Sequence, residues 1–188
     1  MTSFTVVYDA SVLYPAPLRD FLMWLALADL FQARWTNEIH QEWIRNVLKN
    51  RPDLTLIQLD RTKNLMNSNV RDALITGYEP LIPTLILPDI NDRHVLAAAI
   101  HGRADFIVTF NLKDFPTSLL ADYGVEAVHP DEFVLDLLDL DSAKVCQAVL
   151  KQRKTLKNPP LTLEQYLDIL IRQGLPQSAI ALRKRLKD

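Results

Sequence analysis

Hydrophobic and polar positions follow two rhythms along this chain, and the change between them falls near residue 140. Residues 4–8, Phe4-Thr5-Val6-Val7-Tyr8, are β-branched and aromatic and end at Asp9, the pattern of a buried strand that delivers a polar residue at its carboxyl end. From Pro17 to about Arg34, the residues Leu18, Phe21, Leu22, Leu25, Leu27, Leu30 and Phe31 recur at helical spacing, and Pro17 suits a first turn, where its missing N–H would have no partner. Thr36 or Asn37 is the N-cap expected for a helix through about Lys49 that turns Ile39, Trp43, Ile44, Val47 and Leu48 inward. A further helix is expected from Asp53 or Asp60 to Leu74, closed by Gly77. The apolar stretch 81–88 is broken by prolines and reads as an irregular or short strand. Asn91 or Asp92 then opens an Ala-rich helix, Arg93 to His101, that Gly102 closes, and residues 106–109 form a second strand. A short helix near 117–122, a strand at 126–128 and a helix at 131–138 follow. Strands alternating with helices specify an α/β fold with a parallel sheet covered on both faces.

Beyond Asp141 the strand signal stops. Helices are expected at about 141–154, 162–173 and 176–187, separated by Asn158-Pro159-Pro160 and Gly174-Leu175-Pro176. The chain therefore divides into a main domain, 1–140, and a small helical extension, 141–188. Charge divides at the same place. Residues 1–140 carry 11 Lys/Arg against 19 Asp/Glu, net −8, while 141–188 carry 10 against 4, net +6, which the overall −2 conceals. An acidic body suits a site that collects cations; Lys151, Arg153, Lys154, Lys157, Arg183, Lys184, Arg185 and Lys187 either face phosphates or form the solvated sides of amphipathic helices. With 188 residues, 48% of them hydrophobic, there is enough chain for a full core. No secretory signal is apparent at the start, and no apolar run approaches the roughly 20 residues of a membrane span, so a cytoplasmic protein is expected. Cys146, without a second cysteine, is expected as a small core residue.

Four polar clusters lie where adjacent strands of such a fold would bring chain ends together: Asp9, Glu38 with Glu42, Asp89 with Asp92, and Asn111 with Asp114. In open parallel sheets, ligands gather in the crevice at the carboxyl ends of the strands. Oxygen donors of this kind suit Mg²⁺ or Mn²⁺ rather than Zn²⁺, and three or four of them point to metal-assisted hydrolysis of a phosphodiester. Glu38 and Glu42 are one helical turn apart and share a face. Thr109 is placed to bond the first carboxylate and hold it in orientation. Arg93 and His94, in the first turn of the Ala-rich helix, could contact a scissile phosphate, and Arg45 could pair with Glu42 or with substrate. Trp35 and Trp43 are spaced as core residues; His40, His101 and His129 show no ligand spacing and are expected at the surface.

The segments Val7-Tyr8-Asp9-Ala10-Ser11-Val12-Leu13, Trp35-Thr36-Asn37-Glu38-Ile39-His40-Gln41-Glu42, Leu87-Pro88-Asp89-Ile90-Asn91-Asp92-Arg93-His94-Val95-Leu96-Ala97-Ala98-Ala99 and Ala104-Asp105-Phe106-Ile107-Val108-Thr109-Phe110-Asn111-Leu112-Lys113-Asp114-Phe115 resemble, in order and spacing, the PIN-domain family and, within it, the VapC-type toxins of toxin–antitoxin pairs. The resemblance implies a three-layer α/β/α sandwich and a Mg²⁺- or Mn²⁺-dependent endoribonuclease acting on RNA. It matches Asp9 to the family's first aspartate, Glu42 to its helix glutamate and Asp92 to the aspartate opening the Ala-rich helix; Asn111 and Asp114 are both candidates for the fourth position. It also implies a cognate antitoxin bound near the acidic crevice, and a homodimer.

Other chemistries lack residues they require. A hydrolase with an aspartyl nucleophile needs a second acid two residues after the first, and position 11 is serine. A receiver domain needs an acidic pair after the first strand, where Asp9 stands alone. A dinucleotide site needs a glycine loop there, and the chain has only four glycines. The remaining competitor is a protein of the same fold without activity, serving as an RNA- or protein-binding scaffold; clustered acids without a cation would repel one another and destabilise it.

Overall fold

A computed structural model describes residues 4–186. In chain order the elements are β1 (Thr5–Tyr8), α1 (Ala10–Leu13), α2 (Ala16–Ala26), β2 (Gln32–Arg34), α3 (Asn37–Asn50), α4 (Leu56–Asn69), α5 (Arg93–His101), β3 (Phe106–Val108), α6 (Thr117–Leu120), β4 (Glu126–Val128), α7 (Pro130–Thr155), α8 (Leu163–Arg172) and α9 (Pro176–Arg185). The architecture is α/β, a parallel sheet with helices in its connections as in an α/β/α sandwich, followed by helices alone. The chain folds as two compact units. One comprises the residues up to Tyr14 with Phe31–Val128, and the other comprises Pro15–Leu30 with the chain from His129 onward.

In the first unit the four strands are all parallel, in the order β2-β1-β3-β4. Val6 and Val7 of β1, Ala33 of β2 and Ile107 and Val108 of β3 are wholly buried, as an apolar parallel sheet requires. Helix α5 packs on β1 and β3 through a run, Val95 to Ala99, in which every residue is buried. Helix α3 starts where Thr36 Oγ1 accepts the Ile39 N–H at 3.0 Å, and it buries Ile39, Trp43, Ile44 and Val47 along one face.

Several expected elements differ. The helix expected to continue to Arg34 ends at Ala26; Asp29, at φ +55°, turns the chain, and Gln32–Arg34 becomes β2 beside β1. Helix α4 ends at Asn69, short of Leu74, because Val70 is extended and, after a turn at Asp72 (φ +54°), the chain pairs with Trp35: Trp35 N–H donates to Ala73 O and Ile75 N–H to Trp35 O, both at 2.8 Å. Gly77, at φ +81°, lies in the loop beyond that segment and closes no helix. Residues 81–84 of the proline-broken stretch lie in a 3₁₀ turn, Glu79–Thr84, and not in a strand. His40, expected at the surface, is fully buried: its Nδ1 accepts the Trp43 indole N–H at 3.0 Å, which leaves Nε2 to donate to Asn67 Oδ1 at 3.0 Å. Asn67 Oδ1 also accepts the Trp35 indole N–H at 2.7 Å, so two buried tryptophans and a histidine share one satisfied polar network.

The second unit is helical. The helices expected at 131–138 and 141–154 run together as α7, which is interrupted by extended backbone at Asp141; residue 140, the expected domain boundary, lies beside that kink. Asp20 on α2 and Tyr166 on α8 both bond Gln152 of α7, at 2.6 and 2.5 Å. Helix α8 begins with a capping box formed by Thr162 and Gln165. Asp131, on the first turn of α7, accepts the Gln177 and Ser178 N–H groups at the start of α9, at 3.0 and 2.8 Å. Cys146 is half-buried rather than in the core, with Sγ 4.0 Å from Ser142 Oγ. Lys187 lies outside the described residues, and no helix among those described is long and apolar enough to cross a membrane.

Candidate active site

The strand order places the point of reversal between β1 and β3, since the chain leaves β1 for one side of the sheet and later returns to the other. A crevice opens outside the carboxyl ends of two such strands. Asp9 follows β1 directly, and its N–H donates to Val108 O of β3 at 3.1 Å, which fixes the two strand ends side by side.

Asp9 is 3% exposed. Its Oδ1 accepts the Ala10 N–H at 2.8 Å, and its Oδ2 accepts the hydroxyls of Ser11 at 2.7 Å and Thr109 at 2.8 Å. Burial nevertheless wins: it raises the Asp9 pKa, the bonds from Ser11 and Thr109 oppose the rise, and the charge of Glu42 adds to it. Ser11 also accepts the Phe110 N–H at 3.1 Å, and Thr109 Oγ1 accepts the Asn111 N–H at 3.0 Å, so the segment after β3 is laced to the segment after β1.

Asp92 ends the 3₁₀ turn that leads into α5. Its carboxyl is pushed up to about 7, first by burial and then by the charges of Asp9, Asp89, Asp114 and Glu42. Five acids from four separated segments therefore act on one another here. Asp89 is held at the turn, its Oδ1 accepting the Asn91 N–H at 2.8 Å and side-chain amide at 2.9 Å. Of the two candidates after β3, Asp114 is the one whose charge reaches Asp92; Asn111 is exposed and enters through its backbone N–H.

His94, 6% exposed, stands between the two glutamates of α3, with Nε2 at 3.2 Å from Glu42 Oε2 and Nδ1 at 3.8 Å from Glu38 Oε2. Glu38 in turn accepts the Tyr78 hydroxyl at 3.0 Å. Burial lowers the His94 pKa, but the hydrogen bond to Glu42 and the charges of Glu38, Glu42 and Asp9 outweigh it, and the net shift is upward. No Lys or Arg among the described residues pairs with any of these acids. Arg93 keeps a buried Nε without a hydrogen-bond partner, and Arg45 is exposed on α3 and enters none of these contacts. Sequence reasoning missed Ser11 and Tyr78. The spacing Asp9-x-Ser11 was a readable signal for the first, since a hydroxyl two residues on can reach back to a carboxylate; nothing local marks the second.

As a donor set these residues fit a hard divalent cation: they offer carboxylate oxygens, two of the carboxyls raised in pKa by burial and by the negative charge around them, with no thiol among them. Among the described residues no three His, Cys, Asp or Glu side chains stand close enough as they are to share one ion.

Residues 5–113 match the PIN domain family, and residues 130–184 match the VapC50 C-terminal domain. Over 112 residues the chain is 42% identical to a Mycobacterium tuberculosis (strain ATCC 25618 / H37Rv) protein named "Putative ribonuclease VapC50", an alignment covering 60% of this chain and 65% of that one. The matched segment thus spans just under two thirds of the relative's length. No solved structure matches. The first match takes in more than half of the chain, from β1 past the crevice-lining Thr109, and the chain belongs to the PIN-domain family.

Proposed function

We propose that the chain is an endoribonuclease dependent on a divalent cation, Mg²⁺ or Mn²⁺, and the toxin of a toxin–antitoxin pair that works in the cytoplasm. The observation that carries this reading is Asp92, whose carboxyl is held at about 7 by burial and by four other acids at the reversal point of the sheet. Charge crowded in this way is costly to the fold unless a cation or a proton answers it. The PIN-domain match and the name of the mycobacterial relative support RNA as the substrate.

In this reading Asp9, Glu42 and Asp92 hold the ion, with Asp114 as the fourth acid and Asn111 and Asp89 beside it. The bound ion supplies positive charge that polarises a phosphodiester. The chain's own part is orientation. The hydroxyls of Ser11 and Thr109 lock the Asp9 carboxylate in one direction, and His94 holds the Glu42 carboxylate from the side of α5. Arg93, next in sequence to Asp92, is the nearest guanidinium by position to meet the substrate phosphate. A cognate antitoxin would close the crevice by placing an Arg or Lys among the same acids; antitoxin affinity unchanged in Glu42→Gln and Asp92→Asn would count against that.

The test of the nuclease reading is cleavage of a structured RNA with Mn²⁺ or Mg²⁺ by the wild type and by Asp9→Asn. Metal-dependent cleavage by the wild type alone is the expected result. Equal cleavage by both proteins, or none by the wild type, would sink the assignment.

A further inference from the structure

We infer that the helical unit carries an RNA-binding site of its own: a hollow between the end of α2 and the second half of α7, in which Trp24 stacks on an unpaired base while Lys144 and Lys151 take the flanking phosphates. That RNA is the ligand rests on the nuclease reading; the site itself rests on four features of the unit.

Trp24 is partly exposed, whereas Trp35 and Trp43 are fully buried. It lines the hollow together with Leu27, which is 46% exposed. A partly exposed indole beside cations is an element on which single-stranded nucleic acid can stack without regard to sequence. Lys144, Gln147 and Lys151 also line the hollow, and their spacing of three and four residues puts them on one side of α7.

The lysines are uncommitted, unlike two arginines of the unit. Arg183 makes bonds of 2.8 to 3.0 Å to Glu164, and Arg185 stands 4.0 Å from Asp139. Lys144 and Lys151 form no ion pair among the described residues. Gln147 offers both a donor and an acceptor to a base edge, and Asp29, the acid in the hollow, offers an acceptor to an exocyclic amino group.

The hollow is also held in shape. Gln152 of α7 donates to Asp20 of α2 at 2.6 Å and accepts the Tyr166 hydroxyl at 2.5 Å, so the two helices that form its walls are tied together. Its volume of about 290 Å³ leaves room for a single base against Trp24. That selects unpaired RNA, the form whose bases can be splayed onto aromatic side chains.

Intrinsic fluorescence tests the inference directly, because the other two tryptophans are shielded. Metal-free wild-type protein, kept in EDTA so that no RNA is cut, is titrated with a short single-stranded oligouridylate. The expected result is saturable quenching that disappears in Trp24→Phe, with affinity lowered about tenfold or more in the Lys144→Glu/Lys151→Glu variant and falling steeply with salt. The variant changes two exposed side chains and leaves the helix contacts intact. Absence of RNA binding, binding without any change in emission, or wild-type affinity in the double lysine variant would each overturn the inference. A parallel cleavage assay of the wild type with Mn²⁺ keeps the two readings apart: cleavage without quenching defeats this site alone, and quenching without cleavage defeats the nuclease reading alone.

Discussion

Asp9 in the sheet unit and Asp131 in the helical unit are both buried, 3% and 8% exposed, and each carboxylate accepts three hydrogen bonds. The number of bonds does not tell them apart; the identity of the donors and neighbours does. Two of the three donors to Asp131 are backbone N–H groups at the start of α9, where the helix dipole also favours a negative charge. Two of the three donors to Asp9 are hydroxyls, and beyond them stand more acids. The first is a carboxylate whose charge the fold consumes. The second is a carboxylate whose charge the fold holds available, and that distinction separates a structural acid from a candidate catalytic one more sharply than burial does.

Replacing each by asparagine tests the distinction. At Asp9 an amide keeps the Ala10 bond through its oxygen, and its NH₂ can donate to Ser11 and Thr109, whose hydroxyls rotate to accept. The Asp9→Asn protein should therefore melt at or above the wild-type temperature while losing about 10²- to 10³-fold in cleavage rate, because it removes charge from the centre and little else. A large fall in melting temperature would place Asp9 in the same class as Asp131. The hydroxyls come next. Ser11→Ala and Thr109→Val should each lower Mn²⁺ affinity, measured by calorimetry, about 10- to 100-fold, the usual cost of releasing a ligand from the group that orients it.

Asp131→Asn should behave in the opposite way. Its two carboxylate oxygens face separate backbone N–H groups, so one of them must meet the amide NH₂ and lose its acceptor. The expected loss is about 1–3 kcal/mol in urea denaturation, with cleavage per folded molecule unchanged. A loss of cleavage at full stability would contradict the assignment.

How much of this was legible in the sequence depended on whether a signal was local. Strands β1 and β3 announced themselves as apolar runs ending in Asp9 and Thr109, and the Ala-rich α5 fell where expected, between Arg93 and His101. Strand β2 did not: three residues long, with only Ala33 wholly buried, it continues the apolar spacing of α2 and becomes a strand only because β1 lies beside it. The pair Glu38 and Glu42 was legible as one helix face, but that His94 meets both depends on the packing of α5, 52 residues on from Glu42. His40 was hidden for the same reason, since Asn67, which satisfies its ring, comes from another helix. Motif spacing does not separate Asn111 from Asp114, which stand at the N-cap and at the last residue of one short 3₁₀ turn, Leu112–Asp114.

The smallest effect concerns pH. Asp92 is raised from 3.8 to about 7 in the folded protein, so between those values the native state holds a proton that the unfolded chain has released. Its contribution to stability is complete below about pH 4 and is lost as pH rises through about 7. His94, also raised, acts with the same sign, because its charged form loses its partners' attraction as it deprotonates. Metal-free protein should therefore melt a few °C higher at pH 5 than at pH 8, roughly 2–4 °C for each kcal/mol, an effect kept small by the solvent exposure of the half-buried Asp92. Asp92→Asn should flatten that dependence. A wild-type melting temperature insensitive to pH over this range would mean that the acids of the crevice do not press on one another, and the contrast between the two buried aspartates would lose its electrostatic basis.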